Sequence, residues 1–509
     1  METAGRGRKS VFSQLSSKRL WAWVCCLLFA ASTLPLYVIS FYNHPYYDDY
    51  GFSADVRVVW KETGSMGQVL ATALNSAREV RQSWQGTYTG TILSNVQPGV
   101  FSESLYFLTT FFLLTAFLLC FGFFLKTVFG DRLGLSGAET AILISLTLTL
   151  LVQFMPDPDE AFFWFNGGVG NTFIYALLAL SLGLCARLWH MVRGVKAAGT
   201  IIALGLITVL LGGGSYGGGI FGLGLYALLT AAAFCKKNPW RWVYGALSAA
   251  FLLCFFYSVS APGNMVRSVQ IGYHVSVGEA VLQAFYYGIG VGAGYVRLPL
   301  VGVTLLLIPF FAKAARRSSY QFAHPLAVLG AGVCLYCAQF APPLYGGVFI
   351  GGGRIVNTYY QSFVVMWLLY AFYLTGFALR KWDGALFKGA FALSPAAGYR
   401  FVLVCCCLLA VGCLAYQRPQ DVLPGPQNMA GGSAALSLLR GEAQTYHREM
   451  QAREALLNDE TRPRITLAPL SAVPEIFMKD LLTPDAPYDV RPALQNYYGK
   501  EAIALEGEL

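Results

Sequence analysis

Two adjacent carboxylates, Asp48 and Asp49, stand in the run His44-Pro45-Tyr46-Tyr47-Asp48-Asp49-Tyr50-Gly51. Such a pair can accept a proton from a hydroxyl, or share a divalent cation with a phosphate. Like charges this close push one pKa upward, which suits a base working near neutrality. The same run also reads as a solvated loop that begins where a helix has ended. A second acidic run, Asp157-Pro158-Asp159-Glu160, leads directly into Phe162-Phe163-Trp164-Phe165-Asn166. Flat aromatic faces stack on pyranose rings, and carboxylate and amide groups bind hydroxyls. An interfacial aromatic belt beside a turn is the plain alternative. Three arginines complete the set: Arg267 after Ala261-Pro262-Gly263-Asn264, Arg297 before Pro299, and Arg354 after Gly351-Gly352-Gly353. A guanidinium next to glycine or proline suits bidentate capture of a phosphate, and any one of them taken singly could equally snorkel to a membrane surface.

The elements that carry these residues are set by composition. Of 509 residues 56% are hydrophobic and 12% charged, with a mean hydropathy of +0.52. A soluble domain carries about 25% charged residues, so a cytosolic enzyme, a disulfide scaffold and a disordered chain are excluded. Apolar runs at 20–41, 104–125, 140–155, 169–189, 199–213, 217–234, 242–259, 290–312, 325–341, 358–379 and 401–416 predict an all-α polytopic membrane protein with about eleven transmembrane helices. Alternate loops collect the basic residues. Twenty of the 36 Lys and Arg fall at the N-terminus or in the loops that share its side, against seven on the other side. This places the N-terminus in the cytoplasm and the C-terminus outside. The net charge of +9 therefore reflects loops at a membrane, and nucleic acid is not expected as a partner.

Three regions follow: a basic N-terminus at 1–19, a transmembrane domain at 20–417 and a small extracytoplasmic domain at 418–509. The first outer loop, 42–103, is long, and Met66, Val69, Leu70, Ala73, Leu74 and Ala77 recur at helical spacing, predicting an amphipathic helix on the membrane surface or the bundle. The tail carries a net charge of −4; Ser433–Leu457 reads as one soluble helix and Arg464–Leu467 as a short strand, an α/β appendage. All twelve cysteines lie in or beside apolar runs, so no disulfide framework is expected. The glycines Gly212 to Gly214 and Gly217 to Gly219 suit close helix packing and match no phosphate loop. His190, His274, His324 and His447 are scattered without metal-ligand spacing.

A first helix running into Tyr47-Asp48-Asp49-Tyr50, a long first outer loop with a surface helix, acids in the second outer loop and a small outer C-terminal domain resemble the GT-C superfamily of membrane glycosyltransferases. Together with Trp164-Phe165-Asn166-Gly167, Ala261-Pro262-Gly263-Asn264 with Arg267, Gly353-Arg354 and Asn496-Tyr497-Tyr498-Gly499, they are similar to an uncharacterised bacterial family placed with that superfamily. The resemblance implies a sugar donor linked to a polyprenyl phosphate and an acceptor that is an envelope glycan, a lipid or a protein. It also implies a location in the bacterial plasma membrane, in contact with membrane lipid. By it, Asp48 or Asp49 is the catalytic base and a candidate ligand for a divalent cation, Mg or Mn. Asp157, Asp159, Glu160, Trp164, Asn166 and Asn264 would line the substrate, and Arg267, Arg297 and Arg354 would hold the phosphate. The chain departs from the family in having an adjacent acidic pair at the first loop; the spaced Asp-x-Asp occurs only at Asp157-Pro158-Asp159, which leaves metal dependence open. The rival expectation is a non-enzymatic transporter or flippase of lipid-linked glycans, with charges along a path through the bundle.

Overall fold

The computed structural model describes residues 18–507, apart from 274, 349, 383–394, 419, 420, 484, 485 and 487. Most of the basic N-terminus, together with His274 and Lys388, therefore lies outside the described residues. In chain order the helices are α1 (Lys18–Ile39), α2 (Asp48–Thr63), α3 (Met66–Ser83), α4 (Tyr88–Asn95), α5 (Leu108–Leu125), α6 (Gly137–Gln153), α7 (Phe165–Gly170) and α8 (Thr172–Leu188). They continue with α9 (Val195–Gly212), α10 (Tyr216–Cys235), α11 (Arg241–Val259), α12 (Pro262–Ile271), α13 (Val277–Gly294), α14 (Leu298–Arg317), α15 (Pro325–Ala338), α16 (Ala341–Tyr345), α17 (Arg354–Lys381) and α18 (Pro395–Leu414). The tail holds α19 (Ala430–Arg440), α20 (Glu442–Asn458), β1 (Arg464–Leu467), α21 (Arg491–Tyr498) and β2 (Ala502–Leu505).

Among the described residues nine helical stretches are long and apolar enough to cross a membrane, and two shorter apolar helices, Gly137–Gln153 and Arg400–Leu414, accompany them. A segment such as α5, with no charged residue over its length, can sit in lipid only as a helix, because every backbone N–H and C=O must be satisfied within the segment. The chain is a multi-pass, almost wholly helical membrane protein. The apolar runs read from the sequence fall mostly on helices, and the widest departure is at 290–312. The run 290–312 is not continuous: α13 ends at Gly294 and α14 starts at Leu298, with Pro299 in its first turn. Proline there has no N–H to give to a preceding turn, which suits the first turn of a new helix.

The helices have two recognisable ends. At one, the buried Glu139 accepts from Lys18 Nζ and Lys313 Nζ, each at 2.5 Å, and also closes a capping box with Ser136 at the start of α6. Arg317 Nη1 donates to Gly134 O beside it. At the other end lie the loop after α1, the α12 segment, the start of α17 and the tail. Within the bundle the glycine cluster allows close approach: a Cβ on Gly212 would lie 2.3 Å from the Cβ of Cys254, and one on Gly219 2.3 Å from the Phe255 ring. The twelve cysteines are free.

The helix expected in the first loop is present as α3, which buries Val69, Ala73 and Ala77 and leaves Met66, Leu70 and Leu74 exposed. In the tail, β1 pairs in parallel with β2, Arg464 opposite Ala502 through Leu467 opposite Leu505. The single helix expected over Ser433–Leu457 is two, because Gly441 at φ +77° caps α19 in the left-handed region. The tail does not stand apart from the loop. Tyr50 and Ala54 of α2 share one apolar core with Leu467, Leu494, Tyr497 and Leu505.

Candidate functional site

Asp48 and Asp49 open α2, and their surroundings separate them. The residue before them, Tyr47, has φ +32° and ψ −93°, a conformation that a bulky side chain adopts only when neighbours enforce it. Those neighbours come from the tail. The Tyr47 ring stacks on Tyr488, with centroids 5.9 Å apart. His44 Nδ1 lies 2.5 Å from Glu454 Oε1, and His44 Nε2 lies 2.9 Å from His447 Nδ1. Arg57, further along α2, is buried and donates to Glu103, Asn458 and the Tyr497 hydroxyl. Of the histidines that look scattered in the sequence, His447 thus joins His44 in one tie between loop and tail.

Asp49 is fully buried and its oxygens are engaged. Oδ2 accepts from the Tyr46 N–H at 3.1 Å and from the Tyr106 hydroxyl, and Oδ1 accepts from the Asn166 N–H at 3.0 Å. Burial raises its carboxyl to about 7, against the pull of these hydrogen bonds. The expectation that either aspartate could be the base is narrowed on this geometry. Asp49, wholly buried with both oxygens hydrogen-bonded, is closed off from a substrate hydroxyl, and it instead fixes the Trp164–Asn166 segment against the start of α2.

Asp48 is only partly buried and faces charge. Burial pushes its carboxyl above the ordinary range, the guanidinium groups of Arg354 and Arg267 pull it back, and Glu160 pushes it further up. Arg354 lies with its guanidinium carbon 4.8 Å from the centre of the Trp164 ring. Arg267 lies 5.1 Å from that of Trp84, with Nη1 donating to Gln85 Oε1 at 2.9 Å. Burial and the neighbouring Arg354 both lower the Arg267 pKa. Among the described residues neither guanidinium closes a salt bridge with a carboxylate, and Arg267 Nε, Trp164 Nε1 and Asn166 Nδ2 are buried without a hydrogen-bond partner. Two partly buried cations facing one another and spare N–H donors describe a pocket for an anion that also carries acceptor oxygens.

The remaining expected residues divide. Glu160 accepts from the Arg354 N–H at 2.8 Å and belongs to the cluster. Asp159 lies beside it; burial, then Asp157 and Glu160, raise its carboxyl to about 8. Asp157 is held through its backbone, which pairs with the Asn357 side chain at 2.9 and 2.6 Å. Asn264 does not offer its side chain to a substrate: Oδ1 accepts from Gly86 N–H and the Tyr216 hydroxyl, and Nδ2 donates to Ser258 O and Val259 O. It anchors α12 and thereby Arg267. Arg297 is not brought to the cluster; it is exposed, and its guanidinium donates to Gly294 O and Gln417 O beside the Tyr416 ring. Proline at position 299 starts a new helix and leaves Arg297 in the linker before it.

The shared cation expected at Asp48 and Asp49 does not fit this donor set. Asp49 is committed to three hydrogen bonds, and guanidinium groups stand where a metal would balance Asp48. Among the described residues no group of three or more His, Cys, Asp or Glu side chains is placed to hold a metal ion. Sequence reading missed Tyr46, Tyr106, Trp84 and Gln85; each is an ordinary residue whose role depends on a partner distant in sequence. No family model matches the chain, and no curated protein or solved structure matches it either.

Proposed function

We propose that the protein is an integral-membrane glycosyltransferase that moves a sugar from a polyprenyl-phosphate donor to an acceptor hydroxyl at the outer face of the bacterial plasma membrane, in cell-envelope glycan synthesis or modification. The observation that carries this reading is the single cluster of Asp48, Arg267, Arg354, Trp164 and Glu160 at the tail-bearing end of an apolar bundle. That end is outer by the distribution of Lys and Arg, with the Glu139–Lys18–Lys313 end cytoplasmic. Among the described residues, nine long apolar helices and two shorter ones are compatible with an odd number of crossings, which this reading requires to leave the tail opposite the N-terminus.

The chemistry follows from the charges. Arg267 and Arg354 hold the donor phosphate and stabilise the charge that grows on it as it leaves. Asp48, facing them, takes the proton of the acceptor hydroxyl. The hydroxyl oxygen forms its bond to the anomeric carbon as the bond to phosphate oxygen breaks, its electron pair passing to the phosphate. One displacement inverts that carbon, and a phosphate leaves as an anion without a matched acid. Trp164 and Asn166 supply a ring face and an amide for the sugar. The transporter reading requires charges along a path through the bundle. Here the buried ionisable groups gather at the two ends, which favours transfer.

The test is sugar transfer in reconstituted vesicles with a panel of radiolabelled polyprenyl-phosphate sugars. Asp48→Asn should lower the rate by about 100- to 10,000-fold with donor binding retained. Full transfer by that variant, or by Asp48→Asn with Asp49→Asn, would remove the base and the mechanism with it.

A further inference from the structure

We propose that the N-terminus of α17 is the seat of the donor phosphate and that Glu160 occupies it as an internal competitor, which the phosphate displaces on binding. The proposal rests on the glycosyl-transfer reading and assigns a regulatory contact within the same site.

α17 is a 28-residue helix whose first N–H groups have no partner in their own helix, and whose dipole favours an anion at that end. Its entry is built for close approach. Gly353 has φ +68°, and a Cβ there would fall 2.8 and 3.0 Å from the two carboxylate oxygens of Glu160. Glycine is what lets an anion lie against this backbone, and the Arg354 N–H donates to it at 2.8 Å. Glu160 reaches the spot from a segment 194 residues away, out of the irregular five-residue turn Asp159–Phe163. Such π-type turns cluster at functional sites.

A carboxylate that merely capped the helix would also take the guanidinium beside it. Instead Arg354 turns its guanidinium over the Trp164 ring, and Trp164, 5% exposed, keeps a buried Nε1 without a partner, as does Arg267 at Nε. The pocket therefore holds more donors than one carboxylate uses. A phosphate has oxygens enough to take the α17 N–H and both guanidinium groups together. Displaced, the Glu160 carboxylate remains in the same pocket as Asp48, where its charge favours return once the sugar has left. The competitor thus opposes retention of the polyprenyl-phosphate product.

The full-length protein in detergent micelles would be tested for binding farnesyl phosphate, with farnesol and inorganic phosphate as the other arms. Glu160→Gln keeps the shape and an acceptor oxygen but loses the charge; it should bind farnesyl phosphate on the order of tenfold more tightly, with farnesol unchanged. Glu160→Asp, whose carboxylate is one methylene shorter and retracts from Gly353, should move the same way, and Arg354→Gln the opposite way. If Arg354→Gln weakens binding while both Glu160 variants bind as the parent or less tightly, the competitor is overturned and the anion pocket stands. If farnesyl phosphate binds no better than farnesol and Arg354→Gln changes nothing, the phosphate site itself fails. Inorganic phosphate binding as tightly as farnesyl phosphate would overturn a lipid headgroup as the occupant.

Discussion

Burial raises the Asp49 carboxyl to about 7, from 3.8. Between those values the native chain binds more protons than the unfolded one, so stability falls as pH rises from about 4 to about 7. Asp49→Asn lacks this ionisation. The unfolding free energy of the parent minus that of the variant should therefore shrink across that window in thermal unfolding at a series of pH values; a flat difference would contradict the burial argument. Asp48 titrates under other constraints. Arg354 is the strongest influence holding its pKa down and Arg267 the next. Arg354→Gln should therefore move the acid limb of the transfer rate to higher pH, and Arg267→Gln should move it less. The sequence shows a carboxylate pair but not the division of roles within it. Successive residues of a helix point in different directions, and the partners that occupy Asp49 come 57 and 117 residues later. The same distance hides Asn264, whose polar amide reads as a ligand until Gly86 and Tyr216 are found on it.

At the scale of elements, hydropathy reveals the spans because lipid admits no other solution, and the α3 stripe was legible for the same reason of periodicity. The break at Arg297–Pro299 was visible as a proline in an apolar run, but whether such a proline kinks or ends a helix depends on what packs beside it. The glycines of α9 and α10 carry a prediction of their own. Gly219→Ala would place a Cβ 2.3 Å from the rigid Phe255 ring, and should destabilise the detergent-solubilised protein by about 1–3 kcal/mol through forced repacking. Gly205, with nothing near its would-be Cβ, should accept alanine without loss. Thermal unfolding of the two variants separates contact from helix propensity.

Across the whole molecule, the loop that carries Asp48 is held by the tail. Arg57 on α2 is 4% exposed at its side chain and meets Glu103 at 2.6 Å, and its guanidinium also faces the rings of Tyr497 and Tyr498. Arg57→Ala should cost about 3–5 kcal/mol by stranding Glu103, and limited proteolysis should then cut 42–103 faster than in the parent. Composition marked the tail as a unit, yet nothing in it signals that its core needs Tyr50 and Ala54, since apolar residues carry no address. This shared core has a consequence for biogenesis. α2 is made well before α21 and β2, so Tyr50 and Ala54 wait for their packing partners through the synthesis of every span between them. A chain halted before β1 would lack Leu467, Leu494, Tyr497 and Leu505, and Tyr50 and Ala54 of α2 would be left without the apolar core they share with them.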